Sequence, residues 1–248
     1  MKKLTLLTCL ACFGTIAFAQ EAKNEITKDL KPFHRIIASP RVNLILKKGD
    51  QESIRLVYND VSKDKINIEV SRHTLAIYLD GARKVEKHGP HEAHYRTRRS
   101  EYAGVSITAY VTYKELEALE IRGNQELTCF DAIETEEFRL KAYGENEITL
   151  ASLKTDFFKA SLYGENHLKI KKGKVIEQKY KLYGENQIDT REMKSVYATA
   201  SIFGEGSVKI NTTEDVRLDA FGEPSVFVNG GGHVNKRFVV GRTSVFRE

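Results

Sequence analysis

The stretch Tyr143-Gly144-Glu145-Asn146 recurs as Tyr163-Gly164-Glu165-Asn166 and Tyr183-Gly184-Glu185-Asn186. Two relatives follow, Phe203-Gly204-Glu205-Gly206 and Phe221-Gly222-Glu223-Pro224. Each unit sets an aromatic ring beside a carboxylate, and three add a carboxamide. A row formed by Tyr143, Tyr163, Tyr183, Phe203 and Phe221 offers rings to a sugar or to another protein's apolar surface. The alternative is that a bend at each glycine turns the rings to stack on one another. A row formed by Glu145, Glu165, Glu185, Glu205 and Glu223 brings like charges together, which destabilises a sheet. Solvent, lysines on adjoining strands or a hard cation such as Ca²⁺ would offset that. The chain lacks the Gly-Gly-x-Gly-x-Asp nonapeptide of calcium solenoids. The expectation is therefore solvated glutamates and no cofactor, with Ca²⁺ as the alternative.

A second constellation is His88-Gly89-Pro90-His91-Glu92-Ala93-His94, which holds three of the seven histidines. Imidazoles suit Zn²⁺, Cu²⁺ or Ni²⁺. In a loop without a fixed supporting shell their affinity would be low, and Arg96, Arg98 and Arg99 repel a cation. The stretch reads as a polar loop, with a metal site at His88, His91 and His94 as the alternative. The arginines suit acidic glycans or lipid headgroups. No Gly-x-Ser-x-Gly, His-Glu-x-x-His or phosphate-cradling loop occurs. Cys129 falls on an inward column and reads as packing.

Those residues need elements to hold them. Gly123, Gly144, Gly164, Gly184, Gly204 and Gly222 are spaced 21, 20, 20, 20 and 18 residues apart. Counted from each glycine, positions −4, −2, +4 and +6 are apolar almost throughout, for example Leu140, Ala142, Ile148 and Leu150. The residues between are largely charged or polar. That is period two, so each unit is a strand, a glycine bend and a second strand with one buried face. Glycine tolerates the positive φ of such a bend, and Asn124, Asn146, Asn166 and Asn186 tolerate it and can bond the turn backbone. Asn146, Asn166 and Asn186, stacked in register, would form an asparagine ladder. A 20-residue repeat with inward alternation suits a parallel β-helix, or β-solenoid, with one repeat per coil.

Upstream, His34–Ile37, Val42–Leu46, Ser53–Val57, Ile66–Val70 and Leu75–Leu79 read as strands. Residues 81–102 read as an exposed loop, and Val105–Tyr113 as a strand leading into the first coil. Lys2 and Lys3, an apolar run to Phe18, and Ala17-Phe18-Ala19 make residues 1–19 a secretory signal peptide. Residues 20–31 read as a flexible leader. Residues 32–248 read as one β-helix domain, with irregular strands at 32–113 and regular coils at 114–248. Removing Lys2 and Lys3 lowers the formal charge from +5 to +3, too little to indicate nucleic acid. Cys129 alone remains of the three cysteines, so no internal disulfide is expected. No later stretch matches a membrane-spanning helix. The last coil, Phe238 to Phe246, reads as an uncapped edge able to pair with another strand.

The stretch from Phe33 to Asp50, Leu75–Leu79, Val105–Tyr113 and Leu116–Asn124 resembles the auto-transporter adhesin head domain, the GIN domain of exported Bacteroidetes-type proteins. The resemblance covers most of residues 33–248 and implies a right-handed parallel β-helix, export and an adhesive role, with no catalytic residues to carry over. The chain shows no membrane barrel of its own. The expected function is thus an exported, non-enzymatic β-solenoid that binds a surface polysaccharide or protein, in the periplasm, on the outer surface or outside the cell. Two alternatives remain. One is a polysaccharide lyase or hydrolase on the same scaffold, which would need a localised acidic cleft. The other is a spacer without a ligand.

Overall fold

A computed structural model describes residues 24–82, Tyr102 and 104–247. The expected signal peptide, the histidines at 88, 91 and 94 and the arginines at 96, 98 and 99 lie outside the described residues. Among those described there is no α-helix, only a 3₁₀ turn at Lys63–Lys65, and no helix long and apolar enough to cross a membrane.

Among the described residues, fifteen strands form one sheet wound into a parallel β-solenoid. Its regular part is β8 (Ala118–Glu134), β9 (Glu137–Ile170), β10 (Gly173–Ser195), β11 (Tyr197–Thr212), β12 (Asp215–Gly222) and β13 (Ser225–Asn229). These pair in parallel with register that sets each glycine on the next, Gly123 on Gly144, Gly164 on Gly184, Gly184 on Gly204 and Gly204 on Gly222. The apolar columns predicted from period two point inward. Leu119, Leu140, Ala160, Tyr180, Ala200 and Leu218 are all buried, and so are Leu127, Ile148, Leu168, Ile188, Val208 and Val226. One continuous hydrophobic core runs from Phe33 to Val228.

Every bend glycine has positive φ, from +98° at Gly184 to +134° at Gly204. A seventh glycine, Gly241 (φ +102°), continues the column at the last coil. Its neighbours are Val240 and Arg242, so no aromatic-Gly-Glu signature announces it.

The N-terminal part departs from a simple coil series. β2 (Arg35–Ala38) and β3 (Val42–Lys48) form a coil whose bend falls on Arg41, a non-glycine residue at φ +74°. β2 pairs with β8 on one side and with β6 (Thr74–Leu79) on the other. β3 likewise lies between β8 and β7 (Ile107–Tyr113). The sequence places Val105–Tyr113 next to the first glycine coil, but β7 pairs with β3 and β4 and forms no ladder with β8. Strand alternation fixes which face is buried but not which neighbour a strand takes.

Antiparallel strands close this end. β4 (Ser53–Tyr58) pairs with β7, β1 (Asn24–Asp29) pairs with β4, and β5 (Ile66–Ser71) pairs with β6. β1 occupies part of the stretch expected to be a flexible leader. It is largely exposed, and its hold is the backbone ladder plus Ile26 packed against the core. Tyr102, placed by the sequence at the end of an exposed loop, is buried and its hydroxyl donates to the Asp80 carbonyl at 2.6 Å.

The opposite end is open. β14 (His233–Val240) pairs only with β12, and β15 (Ser244–Arg247) only with β13. Phe238, Val240 and Phe246 are each about half exposed there, at 53%, 51% and 47%.

The core holds two polar insertions. Tyr180 is fully buried, and its hydroxyl donates to Gln178 Oε1 at 2.7 Å and lies 2.9 Å from Thr190 Oγ1. Gln178 Nε2 donates to Ser195 Oγ at 2.7 Å, and Ser195 Oγ to the Asn211 carbonyl at 2.8 Å. Each buried group thus finds a partner, as burial demands. Cys129 is buried with its Sγ 3.3 Å from the Tyr113 hydroxyl. Burial pushes both the thiol and the phenol up from their ordinary values. The thiolate is the reactive form, so Cys129 should not react with an aromatic disulfide reagent at neutral pH until denaturant is added. Full reaction within minutes of mixing in native buffer would contradict this.

Candidate functional site

The bend divides the outer surface into two faces. Outward side chains alternate along each strand, so positions −5, −3 and −1 before each glycine share one face, and +1 and +3 lie past the bend.

Position −1 is the aromatic column. Tyr143, Tyr163, Tyr183, Phe203 and Phe221 stack face to face with centroids 4.9–5.0 Å apart and interplanar angles of 3–11°. Phe238 extends the column, tilted by 36°. From Tyr163 to Phe221 the side chains are only 36–38% exposed. The strand spacing of about 4.8 Å sets this separation. Each ring therefore spends both faces on its neighbours and shows solvent an edge. A sugar cannot lie flat on these rings, which removes one mode of recognition that the sequence suggests. What is left outward is the ring edge, the electropositive part of the quadrupole, and the tyrosine hydroxyls. Burial, as the first cause, raises the Tyr143 and Tyr163 phenols above their ordinary value, so they remain donors.

Position +1 is the glutamate column. Glu145, Glu165, Glu185, Glu205 and Glu223 are all exposed. Glu165 pairs with Glu185, and Glu185 with Glu205. Among the described residues, no cluster of His, Cys, Asp and Glu side chains is arranged to hold a metal ion. Asn124, grouped by the sequence with the other turn asparagines, stands in this column opposite Glu145 and is exposed. It is one residue out of step with the ladder.

Position +2 turns inward. Asn146, Asn166 and Asn186 are buried, at 3%, 0% and 1% exposure. Asn146 Nδ2 donates to Asn166 Oδ1 at 2.7 Å, and Asn166 Nδ2 to Asn186 Oδ1 at 3.0 Å. Asn146 and Asn186 also donate to the carbonyls of Tyr143 and Tyr183, both at 3.2 Å. Gln125 fills this buried place in the preceding coil, opposite Asn146. Counting two residues from Gly123 would have found it. The ladder stops at Gly206, which pairs with Asn186 and has no side chain to offer.

Positions −5 and −3 carry a feature that the repeat letters hide. Arg139, Lys159 and Lys179 occupy −5, with Lys159 directly opposite Lys179, and Lys141 and Lys181 occupy −3. Arg139 is held by Glu137, Nε to Oε1 and Nη2 to Oε2 both at 2.7 Å. Lys141, Lys159, Lys179 and Lys181 have no carboxylate within 4.0 Å among the described residues. Burial, then the charges of Lys181, Lys179, Arg139 and Lys141, hold the Lys159 ammonium below its ordinary pKa. A folded pKa below the unfolded one means that the protonated form costs stability. That cost is present at neutral pH and fades as pH rises through the lysine range. Lys159→Gln should therefore stabilise the fold by roughly 0.2–1 kcal/mol, the size of a cross-strand charge term. Urea unfolding at low salt would show it, and the gain should shrink in 1 M salt. A loss of stability at both salts would refute this.

The concave sites among the described residues that bear acidic side chains are shallow. A depression of about 430 Å³ is lined by Arg35, Glu117, Thr135, Glu137, Arg139 and Phe157. A neighbouring one of about 830 Å³ shares Glu117 and Thr135 and adds Asp50, Lys114 and Glu134. His34 Nδ1 lies 2.7 Å from Glu117 Oε2. A glycosidase general acid at such a site needs a carboxyl raised toward neutrality. Glu137 moves the other way, because Arg139 holds it below the usual carboxylate range.

A family model described as "Putative auto-transporter adhesin, head GIN domain" matches residues 32–232. No curated protein matches the chain. Among solved structures, a Bacteroides fragilis protein described as a putative adhesin is 17% identical, with a TM-score of 0.71 over 92% of this chain and 98% of its own. A Parabacteroides merdae protein of the same description is 16% identical, with a TM-score of 0.66 over 92% and 97%. A Parabacteroides distasonis protein described as a putative lipid binding protein is 14% identical, with a TM-score of 0.59 over 91% and 97%. At these identities the likeness is one of fold.

Proposed function

The chain belongs to the family of adhesin head GIN domains, and from that premise we propose that it is an exported binding module, without catalytic activity, that holds a surface polymer or protein on the flat faces of its solenoid. The observation that carries this is the register of the coils. Aromatic and glutamate side chains each form a row repeated at the strand spacing along the axis, and lysines recur beside the rings on neighbouring coils. A repeated row matches a repeated ligand. Catalysis needs the reverse, one place unlike all others.

The family fits export, and the compartment is left to the three named above. The sugar-active alternative draws on the paired depressions around Glu117, and the lowered Glu137 carboxyl speaks against a general acid there. The test is incubation of the purified chain with a panel of glycans and surface proteins, reading both retention and the release of new sugar ends. Retention without release is expected. Release of sugar ends would replace the binding module with an enzyme. A folded chain retained on nothing would favour the spacer.

A further inference from the structure

We propose that the sheet face carrying Lys141, Lys159, Lys179 and Lys181, bordered by the edges of the tyrosine column, is a binding surface for a linear acidic polysaccharide lying along the solenoid axis. This rests on the reading of the chain as a binding module and names the chemistry of its ligand.

Like charges directly opposite one another in a sheet are destabilising. Lys159 and Lys179 are so placed, and Lys141 and Lys181 stand two residues further along their strands. None has an acidic partner within ion-pair distance among the described residues, whereas Arg139 in the same row, and Arg191 and Arg237 elsewhere, do. Glu120 lies opposite Lys141 in register but is held by Arg122. The face thus presents positive charge that an anionic ligand would neutralise. The glutamate column is also like-charged and borders a shallow depression lined by Glu145, Glu147, Glu165 and His167, but His167 already faces Glu147 at 3.1 Å, and no cation-binding cluster stands there among the described residues.

Lys159 and Lys179 stand one strand spacing apart along the axis, and Lys141 and Lys181, with Ser161 between them, stand two. One spacing is about 4.8 Å. That is close to the advance of an extended pyranose chain per sugar, so successive coils can meet successive carboxylates or sulfates. Lysine presents a compact point charge with rotatable donors, suited to single anionic groups rather than to bidentate clamping. The bordering rings present electropositive edges and, at Tyr143, Tyr163 and Tyr183, hydroxyl donors.

Single-stranded nucleic acid binding uses open aromatic faces on which bases stack, and here the faces are closed against each other at about 5 Å. An anionic membrane would draw an amphipathic surface with rings that penetrate the headgroups, and these rings are only about one-third exposed. One exposed ion pair contributes little. Binding therefore needs several sugars engaged at once, and it should strengthen with polymer length.

The test uses the full chain on immobilised polygalacturonate and dextran sulfate, each beside its neutral counterpart, methyl-esterified polygalacturonate and dextran. Retention on the charged polymers alone is expected at low salt, falling at least tenfold by 0.5 M salt, where screening acts within a few ångströms. Lys159→Glu/Lys181→Glu should lose tenfold or more. Lys171→Glu/Lys172→Glu, with the same charge change on the loop between β9 and β10, should bind as the parent does, and thermal melts should show both variants folded. Equal retention on neutral polymers, or equal loss in both variants, would overturn the assignment. Retention on single-stranded DNA or phosphatidylserine vesicles but on neither acidic polymer would overturn the ligand class. Binding to a neutral glycan or a protein alone would sink this inference and leave the binding module standing. Binding to nothing would sink both.

Discussion

Gly184→Ala should destabilise the fold by about 2–5 kcal/mol and halve or abolish soluble yield. A Cβ there would sit 2.5 Å from the Gly164 carbonyl oxygen, which belongs to the backbone of the adjoining coil and cannot swing aside. The φ of +98° adds strain for any residue with a side chain, about 1–2 kcal/mol. Overpacking against rigid backbone adds about 1–3 kcal/mol more. Gly231→Ala separates the two causes. Its φ is +84°, but nothing lies within 4 Å of the added carbon, so only the strain of about 1–2 kcal/mol applies. Urea titrations of the two variants measure the difference. Equal losses would mean that contact between coils is not what requires glycine at the bend.

Asn166→Ala should cost about 2–6 kcal/mol, because it leaves two buried polar atoms short of a partner at roughly 1–3 kcal/mol each. Asn146 Nδ2 keeps only the Tyr143 carbonyl, and Asn186 Oδ1 loses its donor. Replacing Asn146, Asn166 and Asn186 together by valine should cost less than the sum of the single changes, since no member is then left unpaired. Asn166→Asp adds a pH signature. Burial would raise the new carboxyl's folded pKa above its unfolded value near 3.9. The variant should then be most stable below about pH 4 and lose stability as pH rises through and beyond that value. Melts across pH 3.5 to 7 test this, and a pH-independent loss would show that the site admits water.

The coil was legible because one short-range rule governs it. Inward positions had to be apolar, and residues such as Leu140, Ala142, Ile148 and Leu150 kept that rule in step with the glycines. The failures share a cause, since each depends on which coil lies beside which. Asn124 looks like Asn146 when read by letter, yet the register sets it opposite Glu145 and puts Gln125 inside. Tyr180 and Thr190 sit in apolar columns, and only the meeting of Gln178, Ser195 and Thr212 across two coils makes them tolerable there. The lysine face was invisible as a motif because its members occupy two offsets, −5 and −3, with Ser161 between Lys141 and Lys181. The orientation of the rings was undecidable from one repeat, since a ring's face closes only when the next coil brings another ring to it.

The open last coil and the antiparallel first end lie at opposite extremes of one strand stack, with β1 at one end of the order and β14 at the other. The hydrogen bonds between coils run along the axis, so a pull applied between the two ends loads them one row after another, like the teeth of a zipper, and not all together in shear. The free edge at β14 and β15 has partners on one side only and yields first. Each coil of about 20 residues then releases about 70 Å of chain. A head of this build under tension would lengthen in steps at modest force, absorbing mechanical work coil by coil while the coils still wound keep their grip.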